Sequence, residues 1–268
     1  MGRSFRKGIV LFTLLFLGAC ATEDTSLTDT AQTLQTKKFV DLTHAFDVDT
    51  PHWYGFHAAT RKTLYDYKKD GFRVEEFCHV GQWGTHVDPP GHFAEGGAMV
   101  DAIPLKDMVM PLVVLDVHDK VAQNPDYVLS MADIVVWEAK HGPIPEGSFV
   151  AMRTDWSKRW PSQARMQNSD KKGVHHYPGW SKETLKFLYE TRHITASGHE
   201  TTDTDPGLAT THDDYSLEAY ILKSGHYQIE LLTNLAQVPE AGGMVVVSWP
   251  KFKNGSGFPA RIFAIMEP

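Results

Sequence analysis

The stretch Gly81-Gln82-Trp83-Gly84-Thr85-His86-Val87-Asp88-Pro89-Pro90-Gly91-His92-Phe93 brings an amide, two imidazoles and a carboxylate together around a double proline. As an extended strand continuing from Phe72, it points Gln82, Gly84, His86 and Asp88 to one face, because side chains alternate with period two. Glycine at 84 leaves a gap in that row through which a metal ion or a substrate can approach. Pro89-Pro90 ends the ladder, and Gly91 lets the chain turn so that His92 faces the same space. Imidazole, carboxylate and a neutral oxygen suit a divalent ion such as Mn²⁺ or Zn²⁺, and the lack of sulfur argues against a structural zinc site. The plainer alternative is a buried His–Asp pair hydrogen-bonded to itself in a polar core.

Outward from this stretch the chain mixes strands and helices. Strand-like runs span Phe39–Thr43, Phe72–Val80, Leu112–Val117, Phe149–Arg153, Met244–Ser248 and Arg261–Met266. Three helices are marked by their caps: Met131–Lys140 after Ser130, Lys182–Thr191 after Ser181, and Leu217–Lys223 between Ser216 and Gly225. Strands outnumber helices without strict alternation, so an α/β fold with a mixed sheet is expected rather than a doubly wound one.

The amino terminus has a different composition. Arg3, Arg6 and Lys7 precede an apolar run from Gly8 to Leu17, the layout of a secretory signal, too short for the roughly 20 residues that span a bilayer. It ends in Leu17-Gly18-Ala19-Cys20, which resembles a bacterial lipobox, and Ala21 after the cysteine suggests outer-membrane sorting. The expected organisation is a signal peptide over residues 1–19, a lipidated tether over 20–37 that is polar and flexible, and one domain over 38–268 in the periplasm. The chain of 268 residues carries 26 basic and 33 acidic side chains, a net charge of −7. Loss of three cations with the signal leaves 23 against 33, or −10, a balance that speaks against nucleic-acid binding. Lipidation of Cys20 leaves only Cys78 of the two cysteines, so no internal disulfide forms.

Gly84-Thr85-His86-Val87-Asp88-Pro89-Pro90-Gly91-His92-Phe93 resembles the signature of the cyclase family, His-x-Gly-Thr-His-x-Asp-x-Pro-x-His-Phe, whose members include kynurenine formamidase, isatin hydrolase and trans-dienelactone hydrolase. Asp41-Leu42-Thr43-His44, Arg153-Thr154-Asp155-Trp156, Tyr177-Pro178-Gly179-Trp180, the run Ala196 to Gly207, and Ile229-Glu230-Leu231 extend the likeness from about Phe39 to Met266. The resemblance implies a single swivelling β/β/α domain, usually a homo-oligomer, and a metal-dependent hydrolase. Two departures matter. The binuclear zinc members carry histidines in register with Gln82 and twelve residues before Glu230, a position held here by Glu218. One ion is therefore expected, Mn²⁺ before Zn²⁺, on His86, Asp88 and the Gln82 amide oxygen, with Glu230 a ligand or a carboxylate behind one. Glu218 reads as a solvated charge on a short helix.

The implied chemistry is opening of a cyclic amide at C–N or a lactone at C–O, with His92 as general acid and base. His199 and Glu200 are candidates for substrate contacts or for a capped turn. Trp53, Tyr54, Phe56 and Trp83 offer an aromatic wall for a planar ring, or plain core. His57, His175, His176 and His226 read as background. The rival functions are a binuclear zinc arylformamidase and a non-catalytic envelope-anchored binding protein.

Overall fold

A computed structural model of the chain describes residues 1–2 and 26–268. The signal peptide and Cys20 lie outside the described residues, apart from Met1 and Gly2. The chain divides into two compact units, Met1–Thr36 and Lys37–Pro268. In the first, part of the expected flexible tether is the helix Leu27–Gln35, with no buried residue. The cause is local: Ser26 and Asp29 form a capping box that satisfies the first free N–H groups.

The second unit is built on a sheet of nine strands. In chain order they are β1 Lys38–Asp41, β4 His86–Asp88, β5 Val109–Asp116, β6 Phe149–Arg153, β7 Ala196–His199, β8 Tyr227–Glu230, β9 Gly243–Ser248, β10 Phe258–Pro259 and β11 Arg261–Met266. Two further strands, β2 Thr60–Tyr65 and β3 Val74–Cys78, pair only with each other. The sheet order is β1-β11-β9-β5-β6-β7-β8-β4-β10, with β5 to β8 parallel and the remaining pairs antiparallel. This is the expected mixed α/β architecture.

Strand β6 and the Leu112–Leu115 part of β5 are buried on both faces, as their unbroken apolar runs require. Val113, Leu115, Val150 and Met152 face a layer of helices through Trp137, Leu185, Leu188, Ile221 and Leu222. Leu112, Val114, Phe149 and Ala151 face the curled part of the sheet, where Val245, Val247, Ile262 and Ala264 close over them.

The decisive stretch folds differently from a strand running through from Phe72. Strand β3 ends at Cys78, and the chain turns before β4 begins at His86. Gly84 sets the break with a φ of 64°, in the left-handed region, and a Cβ there would meet the Phe46 Cβ at 2.9 Å. Gln82 therefore lies on the turn, and only His86 and Asp88 share a strand face. The third helix also differs at its start: it runs Ser216–Lys223, with Ser216 inside it. Its first N–H groups are capped from outside by Asp205, which accepts from Leu217 N at 2.9 Å and Glu218 N at 3.0 Å.

Candidate active site

Strand β4 places His86 opposite Glu230 and Asp88 opposite Gln228 on β8. Antiparallel partners lie about 4.5–5.5 Å apart at Cβ, so the register alone sets an imidazole against a carboxylate. Thr85 pins this strand, donating to the Leu231 carbonyl at 2.6 Å and accepting from His44 N at 3.0 Å. Leu231 itself is left-handed, with a φ of 56°, a strained conformation for a side chain of that size. The strain turns the chain immediately after Glu230.

The His86 ring is fixed by Nδ1 donating to the Gly84 carbonyl at 2.8 Å. That bond leaves Nε2 as the free lone pair, 3.4 Å from Asp88 Oδ2 and 3.5 Å from Glu230 Oε2. One donor atom from each of His86, Asp88 and Glu230 falls within 4.8 Å of the others, and the same holds for Asp88, His92 and Glu218. Gln228 donates to Glu230 Oε1 at 3.0 Å, and His199 Nε2 stands 3.3 Å from that oxygen, so Oε2 is the one left facing His86.

The electrostatics call for a cation. Burial, with the carboxylates of Asp88, Glu218, Asp203 and Asp205 behind it, holds the Glu230 carboxyl well above the usual range. Burial and the charge of Asp88 do the same to Glu218. Burial opposes ionisation of Asp88 as well, but a proton on His86 Nε2, standing where a metal ion would, outweighs it and pulls that carboxyl down to about 2. Burial pushes His199 down to about 3, so its ring is neutral. Among the described residues, no lysine or arginine lines the cavity. Asp88 Oδ1 and His199 Nε2 are buried without a hydrogen-bond partner among the described residues. Lone pairs converging from buried, mutually repelling carboxylates and a fixed imidazole fit a divalent ion.

These groups line a cavity of about 250 Å³ together with Trp53, Phe56 and His52. Of the residues singled out from sequence, His86, Asp88, Glu230, His92, Gln82, Trp53 and Phe56 all line it. Gln82 has its amide nitrogen on the Ser256 carbonyl at 2.7 Å and 3.4 Å from His92 Nδ1, which places it beside the base.

Other expectations are corrected. Trp83 is fully buried beneath the cavity, its indole N–H donating to the Asp47 carbonyl at 3.1 Å. Glu200 is buried too, and accepts from Thr154 N at 2.7 Å, Thr154 Oγ1 at 2.9 Å and Ser157 Oγ at 2.5 Å, a structural knot without a substrate face. His199 lies behind the wall rather than on the cavity, with Nε2 3.3 Å from Glu230 Oε1. Tyr54 is half exposed and donates to Asp213 at 3.0 Å, bordering a small adjoining recess. Glu218, taken as solvated, is buried in the cavity wall with Oε1 at 3.8 Å from His92 Nε2. Its spacing from Glu230 was the available signal. Its inward direction came from the Asp205 cap, which no local pattern reveals. His52, Asp203 and Tyr215 also line the cavity without having been selected. They stand on irregular segments, where periodicity carries no information.

The chain resembles known proteins in sequence and in fold. A family profile described as a putative cyclase matches residues 40–206. An isatin hydrolase of Roseibium aggregatum is 30% identical over 208 residues, 75% of this chain and 78% of that protein. Among solved structures, isatin hydrolase A from Labrenzia aggregata, bound to benzyl benzoate, superposes with a TM-score of 0.82 at 32% identity, over 90% of this chain and 99% of its own. Isatin hydrolase A from Ralstonia solanacearum gives 0.84 at 30% identity, over 93% and 100%.

Proposed function

The chain belongs to the cyclase family, and on that premise we propose that it is a metal-dependent hydrolase that opens a small cyclic amide at its C–N bond. The observation that carries the reading is the convergence of His86, Asp88 and Glu230 on one point in the wall of a compact aromatic cavity, with His92 and Glu218 beside it. At about 250 Å³ the cavity is small beside the roughly 300–1,000 Å³ of drug-sized sites and suits a compact, flat substrate. A lactone, opened at C–O, passes through the same tetrahedral geometry and is the near neighbour in substrate range.

His86, Asp88 and Glu230 would hold the ion, with the Gln82 amide oxygen and Glu218 in reserve, and this oxygen-rich set favours Mn²⁺ over Zn²⁺. When bound, such an ion supplies Lewis acidity, a lowered water pKa and positive charge against a developing oxyanion. The rest belongs to the chain. His92 and Glu218 form the proton-handling pair, with one proton passing between Nε2 and Oε1. Gln82 sets its amide towards Nδ1 and so keeps Nε2 on the Glu218 side. The pair takes the proton released as water bonds to the carbonyl carbon and returns it to the nitrogen as the C–N bond breaks. Trp53 and Phe56 flank the ring and exclude water.

The second cluster, Asp88 with His92 and Glu218, favours one other reading, a two-metal site of the zinc arylformamidase kind. Metal analysis of the purified protein, with a hydrolysis screen over an isatin-like lactam, a lactone and an aryl formamide, separates the two. One manganese per chain and lactam opening are expected. Two zinc ions per chain with formamide hydrolysis alone would overturn the proposal.

Residues Arg3 to Cys20 support an envelope lipoprotein anchored at Cys20. The check is loss of detergent-phase partition in Cys20→Ala. The β2–β3 hairpin leaves Leu64, Tyr65, Tyr67, Phe72 and Val74 exposed, which supports a homo-oligomer.

A further inference from the structure

His52 stands in the same cavity wall as the carboxylates and is held far more firmly than a lining residue on an irregular loop needs to be. The Gln163 carboxamide clamps its backbone from both sides, accepting from His52 N at 2.8 Å and donating to the His52 carbonyl at 2.8 Å. The ring lies over the buried indole of Trp83, with centroids 4.5 Å apart and planes 26° apart. Nδ1 is 2.6 Å from the Thr50 carbonyl, and Thr50 is itself buried. A carbonyl only accepts, so this bond puts the ring proton on Nδ1. In the neutral ring Nε2 is then a pure acceptor, and it is the one polar atom of the side chain left for a ligand.

Among the other polar side chains of the wall, His86, Asp88, Glu230, Gln82, His92 and Glu218 serve the ion or the proton pair, Asp203 already accepts from the Tyr177 and Thr202 hydroxyls, and the Tyr215 hydroxyl accepts from the Trp53 indole. A ring N–H in the substrate, flanked by Trp53 and Phe56, needs an acceptor that is not a carboxylate committed to the metal, and His52 Nε2 is such an acceptor. We infer that His52 reads the amide N–H of the substrate and makes the site selective for a lactam with a free N–H over an N-alkylated lactam or a lactone. The inference rests on the proposed cyclic-amide hydrolase and adds which cyclic substrates that site prefers. The physical basis is asymmetric: a fixed acceptor left facing an ester oxygen or an N-methyl group in a dry site goes unpaired, whereas the N–H satisfies it.

The test compares three ligands of one ring size, a lactam with N–H, its N-methyl analogue and the matching lactone, in the metal-loaded full-length protein. In the wild type, the N–H lactam should be preferred over the N-methyl analogue by about 10- to 100-fold in kcat/KM. In His52→Phe, which keeps the stack on Trp83 and removes the acceptor, that ratio should fall towards one while the metal content holds. Gln163→Ala, which lies outside the cavity and only frees the His52 backbone, should lower the ratio part of the way. A ratio unchanged in His52→Phe overturns the inference. Equilibrium binding of the N–H lactam and its N-methyl analogue, read by tryptophan fluorescence, is measured in the same proteins. If the wild type opens no cyclic amide, the proposed function fails. The His52 reading still stands or falls on whether the binding preference disappears in His52→Phe.

Discussion

Asp205→Asn isolates the device that aims Glu218 into the cavity. The Asp205 carboxylate caps the Ser216–Lys223 helix through two backbone N–H groups, yet it is almost wholly buried. Burial, helped by the charges of Asp214 and Asp203, raises its pKa from the ordinary 3.8 to about 6 against the pull of those two bonds. Between these values the folded chain holds a proton that the unfolded chain has released. Stability from this group is therefore fully present below about pH 4 and is lost as pH rises through about 6. A rise of roughly 2 units corresponds to about 3 kcal/mol, or roughly 6–12 °C in Tm for a chain of this size. Asparagine keeps one capping oxygen and never ionises, so the variant lacks this slope. Its Tm should lie close to that of the wild type at pH 4 and gain on it by most of that interval at pH 7. Thermal unfolding of both proteins across this range, in EDTA so that ion loss at low pH does not enter, provides the measurement. Parallel pH curves for the two proteins would refute the reasoning, because they would mean that Asp205 ionises as freely folded as unfolded.

Three further outcomes are expected. His92→Ala should retain the metal, measured by elemental analysis, and lose turnover by about 10²-fold or more, the scale of a general base; full activity would remove His92 from the proton-handling pair. His86→Ala should fail to hold the ion at all, and chelation of the wild type should abolish hydrolysis reversibly, with Mn²⁺ restoring it. Glu200→Ala leaves three buried donors on Thr154 and Ser157 without their acceptor and should cost about 3 kcal/mol in urea unfolding with KM essentially unchanged; a raised KM at unaltered stability would return Glu200 to the substrate site.

The sheet was legible where a strand carries a run of buried apolar residues. Phe149–Arg153 and Arg261–Met266 appear in the fold at the bounds their apolar runs suggest, because central strands need no turn chemistry to mark them. Strands β2 and β10 were not legible: one is exposed along its whole length and the other is two residues long, so neither carries a hydrophobic pattern. At the site, His86, Asp88 and His92 could be read directly, since three residue types at fixed spacing on one short strand and turn must share a space. Trp83 could not, because a tryptophan beside a glycine reads equally as wall or core, and the left-handed turn at Gly84 decided for core.

What the sequence determined by itself is local: a motif dense in metal-binding side chains, a mixed α/β domain, and the family to which the chain belongs. What only the tertiary structure decided is which distant groups meet that motif. The antiparallel register of β4 with β8 sets Glu230 against His86, the Asp205 cap turns Glu218 towards His92, and the Gln163 clamp fixes His52 in the cavity wall. Each brings together groups far apart in the chain, His86 with Glu230, Glu218 with His92 and His52 with Gln163, through hydrogen bonds and burial that exist only once the sheet has closed.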